Sequence, residues 1–295
     1  MFINIYQIVR LMGNYDLVDY STKDVLDFIN LKIRFLKGIK ERDIKILKKR
    51  DYKIKQDFLI ENKLKRYVFR INPFILLRGD IGGLITKLNK TRIFPKIYYY
   101  DESKSFFPFP VLLEEYIPHK KVHKVDNKLL SDLAYVLARF HSYPYLTKNL
   151  KNFANIIRLK EFPETKDKSI LCMIRRYKNK EKKYISLINK KIRKEDLTLV
   201  HSDIVLSNMI YDMNNKLRLI DLEGLNISSR YDDIAYVIIH LGLDKEQEDF
   251  FIYKYNCFVD ENINYGDLDS RKWVVLYRLK VRRIRYLIDK SKRKE

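Results

Sequence analysis

Glycine is scarce in this chain, with eight in 295 residues beside four alanines, three glutamines and a single tryptophan, Trp273. Few glycines leave few places where a backbone amide can close directly on a ligand, so a phosphate-gripping loop has little to be built from. Cysteine is nearly absent too. Cys172 and Cys257 cannot supply a disulfide framework and neither sits in a C-x-x-C pair, which excludes a cysteine-based zinc site and fits a reducing compartment. No stretch approaches the roughly eighteen uninterrupted apolar residues that span a bilayer. The first dozen residues are fairly apolar, but they carry Arg10 and lead to no small-residue cleavage site, so the expectation is a cytoplasmic protein.

What is present is ordinary in one respect and unusual in another. Hydrophobic residues make up 46% and aromatic residues 13%, enough for a sizeable core, which excludes wholesale disorder; the length suits one large domain or two smaller ones. Sixty Lys and Arg against 38 Asp and Glu give a net charge of +22, which favours polyanions, anionic membranes or phosphorylated ligands as partners. The same Lys-rich, Gln-poor usage also arises from an AT-rich genome or a hot habitat, so charge alone does not select nucleic acid.

The hydrophobic pattern changes character along the chain. Val25, Phe28, Ile29 and Ile33 form a helical stripe capped by Ser21 or Thr22. Short alternating runs follow at 44–47, 58–60 and 67–71, then a short helix at 84–88 and strands at 94–100 and 111–117, the last stopped by Pro118. Beyond it the pattern is mainly helical: Leu129, Leu133, Val136, Leu137 and Phe140 share a stripe, Met173 to Lys194 reads as a basic helix, and Val274, Tyr277, Val281, Ile284 and Ile288 define a final one. A β-rich first part and an α-rich second part predict two lobes, 1–117 and 118–295, with a ligand between them.

One segment carries chemistry. His201-Ser202-Asp203 through Asn208 gives H-x-D-x-x-x-x-N between apolar runs, and thirteen residues after Asn208 comes Asp221-Leu222-Glu223-Gly224. Phosphotransferases of the kinase fold space a catalytic Asp, a metal-binding Asn and a metal-binding Asp in this way. Transfer of a γ-phosphoryl group needs a carboxylate to orient the attacking hydroxyl and accept its proton, and hard oxygens to hold Mg²⁺ on the ATP phosphates. Asp203 is the candidate base, Asn208 and Asp221 the candidate metal ligands, with His201 holding the loop. Taken singly, each residue could equally cap a helix, fill a turn or end a strand.

These motifs resemble those of the aminoglycoside phosphotransferase and choline kinase superfamily, small-molecule relatives of the protein kinases. His201 to Asn208 resembles its catalytic-loop motif, Ile220-Asp221-Leu222-Glu223 the I-D-x-E of choline and ethanolamine kinases, Asp233-Ile234-Ala235 a downstream helix start, and Tyr67-Val68-Phe69-Arg70-Ile71 a nucleotide-contacting strand. Leu113 to Ile117 looks like the family's hinge. The resemblance implies an α+β, two-lobed protein-kinase-like fold and Mg-ATP-dependent phosphorylation of a small-molecule alcohol, choline- or ethanolamine-like first. A sugar, an aminoglycoside or another metabolite stays open. It further implies Arg70, Lys53, Glu115 and Ile117 near the nucleotide, Glu223 near the metal, Asp233 as a buttress of the catalytic loop and Arg230 as support for the substrate region.

The chain departs from that pattern in its front part. The candidate phosphate loop, Lys48 to Lys53, has no glycine, and no Glu occurs between Glu61 and Glu102 to supply the usual helix carboxylate; Asp80 is the nearest stand-in as partner for Arg70. Ser202 stands where Gly, Asn or Arg is commoner. Tyr231, Tyr236, Trp273 and Tyr277 fall where the resembling kinases build their acceptor pocket, although such a stripe also describes core. Two basic stretches, 175–194 and 271–295, fit solvated helix faces; contact with nucleic acid or an anionic membrane is the competing expectation, in which the chain serves as a kinase-fold binding module.

Overall fold

The computed structural model describes residues 20–49, 56–63, 65–71, 81–142, 171–172, 174–176, 178–180, 186 and 197–292. Two compact units divide the chain, one from Met1–Arg78 with Pro95–Ile117, the other from Gly79–Phe94 with Pro118–Glu295. The helix-bearing stretch 79–94, inside the span expected for the first lobe, thus groups with the second unit.

The first unit begins with helix α1 (Thr22–Lys32), where Ser21 and Asp24 cap each other reciprocally and satisfy amides that the first turn leaves open. It packs on an antiparallel sheet of β1 (Ile44–Lys49), β2 (Gln56–Asn62), β3 (Lys65–Ile71), β4 (Ile97–Asp101) and β5 (Val111–Glu115), in the order β1-β2-β3-β5-β4. Alternation sorts the strands into two faces. Phe58, Ile60, Tyr67, Phe69, Ile71, Val111 and Leu113 point to one face and bury against Val25, Phe28 and Ile29 of α1. Phe28 is the centre of this contact, edge-on to Phe69 at 5.5 Å and tilted against Phe107 at 5.2 Å. The other face carries Asp57, Arg70 and Glu114, a placement fixed by the register Asp57↔Arg70 and Arg70↔Leu112.

The second unit holds α2 (Ile81–Thr91), β6 (His119–Lys121), α3 (Asn127–His141), β7 (Leu197–Val200), β8 (Met209–Asp212), β9 (Leu217–Leu219), β10 (Asn226–Ser229), α4 (Arg230–Leu241), α5 (Lys245–Asn256) and α6 (Tyr265–Lys292). Asp126 caps α3 by accepting from the Leu129 amide, and Gly242 ends α4 in the left-handed conformation that glycine tolerates best. Two small sheets, β10-β7 and β6-β8-β9, are framed by helices: α3 packs on α5, and α4 packs on both α6 and β7. Tyr231 and Tyr277 are buried and Trp273 nearly so, with Trp273 tilted over Tyr277 at 5.2 Å, which makes these three aromatics core. The described residues of the basic stretch 173–194 are helical. Among the described residues no helix is long and apolar enough to cross a membrane.

Candidate active site

The loop between β7 and β8 is built on buried polar anchors. His201 is fully buried, its ring stacked at 6.0 Å from Phe94. Its Nε2 lies 3.1 Å from the Ile220 carbonyl oxygen, which can only accept, so Nε2 carries the proton. Nδ1 then accepts from the Asp203 amide at 3.3 Å. His201 is therefore a strut with both nitrogens engaged, and it fixes the residue preceding Asp221 as well as the turn into Asp203.

Asp233, in the first turn of α4 and fully buried, holds the same loop from beneath. Its two carboxylate oxygens accept the His201 and Ser202 amides at 2.8 Å each. One oxygen also lies 3.2 Å from His141 Nε2 on α3, while His141 Nδ1 is 2.9 Å from the Tyr255 hydroxyl on α5. Arg230 charge reaches the Tyr255 hydroxyl in turn, and burial pushes that phenol far above its ordinary range. The result is a buried relay from Arg230 through Tyr255 and His141 to Asp233 and the loop backbone. Arg230 is further anchored on Glu261, whose carbonyl accepts from Nη1 at 2.9 Å.

Asp203 sits at the end of these supports. Its Oδ2 accepts from Asn208 Nδ2 at 3.0 Å, and its Oδ1 from the Tyr236 hydroxyl at 3.1 Å. Asn208 Nδ2 also donates to the Asp203 carbonyl at 2.9 Å, so both amide hydrogens are used and the Asn208 oxygen is directed elsewhere. The Asn208 backbone carbonyl accepts from the Ile220 amide at 3.0 Å. Ile220 is thus pinned at both its amide and its carbonyl, and the next residue, Asp221, is delivered beside Asn208 in the left-handed region, φ +70°. The Asn208 amide oxygen and the Asp221 carboxylate are hard donors on adjoining strand ends. That set suits Mg²⁺, which binds through one or two protein oxygens and takes its remaining ligands from phosphates and water.

Gly224 closes the site from the other side. A Cβ there would fall on the His201 carbonyl oxygen, closer than the 3.0 Å that real Cβ atoms respect, so only glycine lets the turn after Asp221 lie against the 201–203 loop. Ser202 adopts φ +62°, and its hydroxyl accepts from Asn226 Nδ2 at 2.7 Å.

Electrostatics around Asp203 come mainly from α4 and α6. Burial, then the Asp203 charge, pushes the Tyr236 phenol up to about 12, with Arg282 of α6 pulling the other way. His240 stacks flat on Tyr236 at 3.8 Å and 9°, and burial, reinforced by Arg282, holds it below its ordinary value. Asp232 accepts from Arg271 Nη1 at 3.0 Å and from the Ser228 hydroxyl.

The predicted residues therefore divide. His201, Asp203, Asn208, Asp221 and Asp233 converge in the second unit, with Arg230 behind them. Arg70, Glu115 and Ile117 belong to the first. There Arg70 is nearly buried and takes carboxylates from the sheet itself: Glu114 Oε1 at 2.8 Å from Nε, and Asp57 Oδ2 at 3.9 Å. Glu115 accepts from the Lys96 amide at 3.1 Å through its side chain, and Ile117 is buried. Asp80 and Lys53 lie outside the described residues, as does the Glu223 side chain. Sequence reasoning missed Glu114, His141 and Tyr255, and placed Tyr236 only among aromatics that fit an acceptor pocket or core. Only Glu114 left a signal, since it stands one position beyond the Leu113 that pairs with Phe69, on the same face as Arg70.

An antiparallel first unit, a mainly helical second unit and a pinned Asp–Asn–Asp loop define a phosphotransferase of kinase-like fold. The chain belongs to the phosphotransferase enzyme family, whose sequence profile matches residues 57–256. Solved structures share the fold. Choline kinase LicA from Streptococcus pneumoniae is 16% identical, with a TM-score of 0.62 over 92% of each chain. Plasmodium vivax ethanolamine kinase is 16% identical, TM-score 0.59, over 94% of this chain and 84% of its own. Amicoumacin kinase, solved with AMP-PNP, Ca²⁺ and Ami, is 14% identical, TM-score 0.62, over 94% of this chain and 87% of its own. No curated protein sequence matches the chain.

Proposed function

We propose that this protein transfers the γ-phosphoryl group of ATP to a hydroxyl of a small molecule, with Mg²⁺ as the metal. The observation that carries the reading is the immobilised Asp203 carboxylate, held at one oxygen by Tyr236 and at the other by Asn208. Each oxygen keeps a second lone pair, so Asp203 can orient an acceptor hydroxyl and take its proton without moving. Asn208 and Asp221 would hold the metal, which when bound neutralises charge on the nucleotide phosphates. His201 and Asp233 touch no reacting atom; they hold the loop so that Asp203 need not reorganise. Within the first unit Arg70 is kept in place by Glu114, and the resemblance assigns it, with Glu115 and Ile117, to nucleotide binding. By its resemblance the acceptor is an alcohol of the choline or ethanolamine size class.

The test is Mg²⁺-dependent ADP release across a panel of choline, ethanolamine, hexoses, aminoglycosides, nucleosides and homoserine, with Asp203→Ala as control. Turnover lost in Asp203→Ala while Mg-ATP still binds is the expected result. Turnover unchanged in that variant would remove Asp203 as the base, and failure of the wild-type chain to bind Mg-ATP would remove the kinase reading itself.

A further inference from the structure

Helix α6 brings positive charge close to Tyr236, the neighbour of Asp203, that the proposed chemistry does not use. Arg271, Arg278 and Arg282 are seven and four residues apart on α6, so at about 100° per residue they lie within roughly 40° of one another on one helical face. That face meets α4: Arg271 reaches Asp232 at 3.0 Å, and Arg282 lies beside the Tyr236 hydroxyl, itself 3.1 Å from Asp203 Oδ1. Arg278 lies between them, within reach of the Asp232, Arg271, Arg282 and Tyr236 fields. Asp232 is already occupied by Arg271 and by the Ser228 hydroxyl. Among the described residues neither Arg278 nor Arg282 makes an ion pair, and Arg282 is exposed to solvent. His240 Nε2, on the ring stacked against Tyr236, is buried without a hydrogen-bond partner.

A row of guanidinium groups beside the base is unsuited to a quaternary ammonium or an aminoglycoside. Its forked donors match the planar or tetrahedral oxygens of a carboxylate or phosphate. The two oxygens of Asp203 separate two sides: Oδ2 faces Asn208, a proposed metal ligand, and Oδ1 faces Tyr236, beside which Arg282 lies. We propose that Arg278 and Arg282, with Tyr236 and His240, form an oxyanion subsite for the acceptor, so that the substrate is an alcohol carrying its own phosphate or carboxylate group. This rests on the phosphotransferase reading and replaces the cationic acceptor suggested by resemblance with an anionic one.

The subsite can be tested without turnover. His240 ring signals are followed by NMR in EDTA, at physiological salt, as the full chain is titrated separately with glycerol 3-phosphate, glycerate, choline, glycerol and ATP. The expected result is saturable shifts with the phosphate and carboxylate probes, none with choline or glycerol, no weaker in Asp203→Ala, and a loss of affinity in Arg282→Gln of about tenfold to a hundredfold, as for charge-assisted hydrogen bonds. Arg282→Lys should recover part of it. Arg282 is exposed, so the variant should melt at the wild-type temperature; Arg278→Gln provides the second reading. No shift with either anion, or a response to choline, overturns the subsite. Metal-free ATP displacing glycerol 3-phosphate would assign the arginines to the nucleotide phosphates and overturn it as an acceptor site. Failure of Mg-ATP binding with the anion response intact would sink the kinase reading alone.

Discussion

Gly224 offers the sharpest test of how the site is held. A methyl group there would meet the His201 carbonyl oxygen inside 3.0 Å, with the Ser202 carbonyl carbon at 3.4 Å and the Asp203 Cβ at 3.5 Å behind it. None of these is the end of a flexible side chain, so relief requires the loop and the 222–224 turn to separate, by on the order of half an ångström or more. The loop resists, because the Asp233 carboxylate holds its two amides at 2.8 Å. Overpacking of this kind costs about 1–3 kcal/mol. At roughly 2–4 °C per kcal/mol for a domain of this size, Gly224→Ala should lower the melting temperature by about 2–12 °C. Because misplacing a catalytic group by about 1 Å costs on the order of a hundredfold, kcat should fall between roughly tenfold and a hundredfold, with KM for Mg-ATP changing far less. The assay is ADP release under saturating nucleotide, paired with calorimetry. Gly266→Ala is the control, since its nearest neighbour is the Asn264 side-chain oxygen at 3.3 Å, which can rotate away. A Gly224→Ala protein with wild-type melting and turnover would refute the argument that backbone contact positions Asp203.

Other perturbations follow from the same geometry. Asp233→Asn keeps the shape but turns an amide donor toward a backbone N–H; it should cost about 1–3 kcal/mol in chemical denaturation and speed hydrogen exchange at His201 and Ser202, and unaltered exchange would contradict the buttress. Glu114→Ala leaves the nearly buried Arg70 with Asp57 at 3.9 Å, so the loss should sit near the low end of about 3–5 kcal/mol and exceed that of Asp57→Asn; the reverse order would show that Glu114 is not the main partner. Asp221→Asn should weaken nucleotide binding in the presence of Mg²⁺ and leave it unchanged in EDTA, as read by paired titrations. His240 is held below 6.5 in the folded state, so the unfolded chain protonates first: its contribution to stability is full above pH 6.5 and is lost as the pH falls through the folded value. Denaturation midpoints from pH 7 to 5 should therefore drop more steeply in the wild type than in His240→Gln, and Arg282→Gln should raise the His240 titration seen by NMR.

The sequence exposed what is local and hid what is assembled. Asp203, Asn208 and Asp221 lie within nineteen residues, between strands whose apolar runs are evident, so spacing alone brought the proposed base and metal ligands together. The relay behind them joins positions 141, 230, 233 and 255, and no motif links a histidine at the end of one helix to a tyrosine more than a hundred residues on. The resemblance places the carboxylate beside Arg70 on a helix; strand register supplies it from β5. Periodicity found α6 and its apolar stripe. Which of its basic residues turn toward Tyr236 depends on how α6 crosses α4, and that is a matter of packing.

The left-handed backbone at Ser202 and Asp221 has a consequence for the history of the chain. A non-glycine residue in that region costs about 1–2 kcal/mol, and the two sit on either side of the base–metal apparatus, at φ +62° and +70°. Glycine at either position would relax the backbone, though at Ser202 it would also remove the hydroxyl that accepts from Asn226 Nδ2. At Asp221 it would also delete the proposed metal ligand. Selection for durability and selection for catalysis thus pull this position in opposite directions, and a descendant released from phosphoryl transfer should drift toward glycine there and outlast its working ancestor on heating.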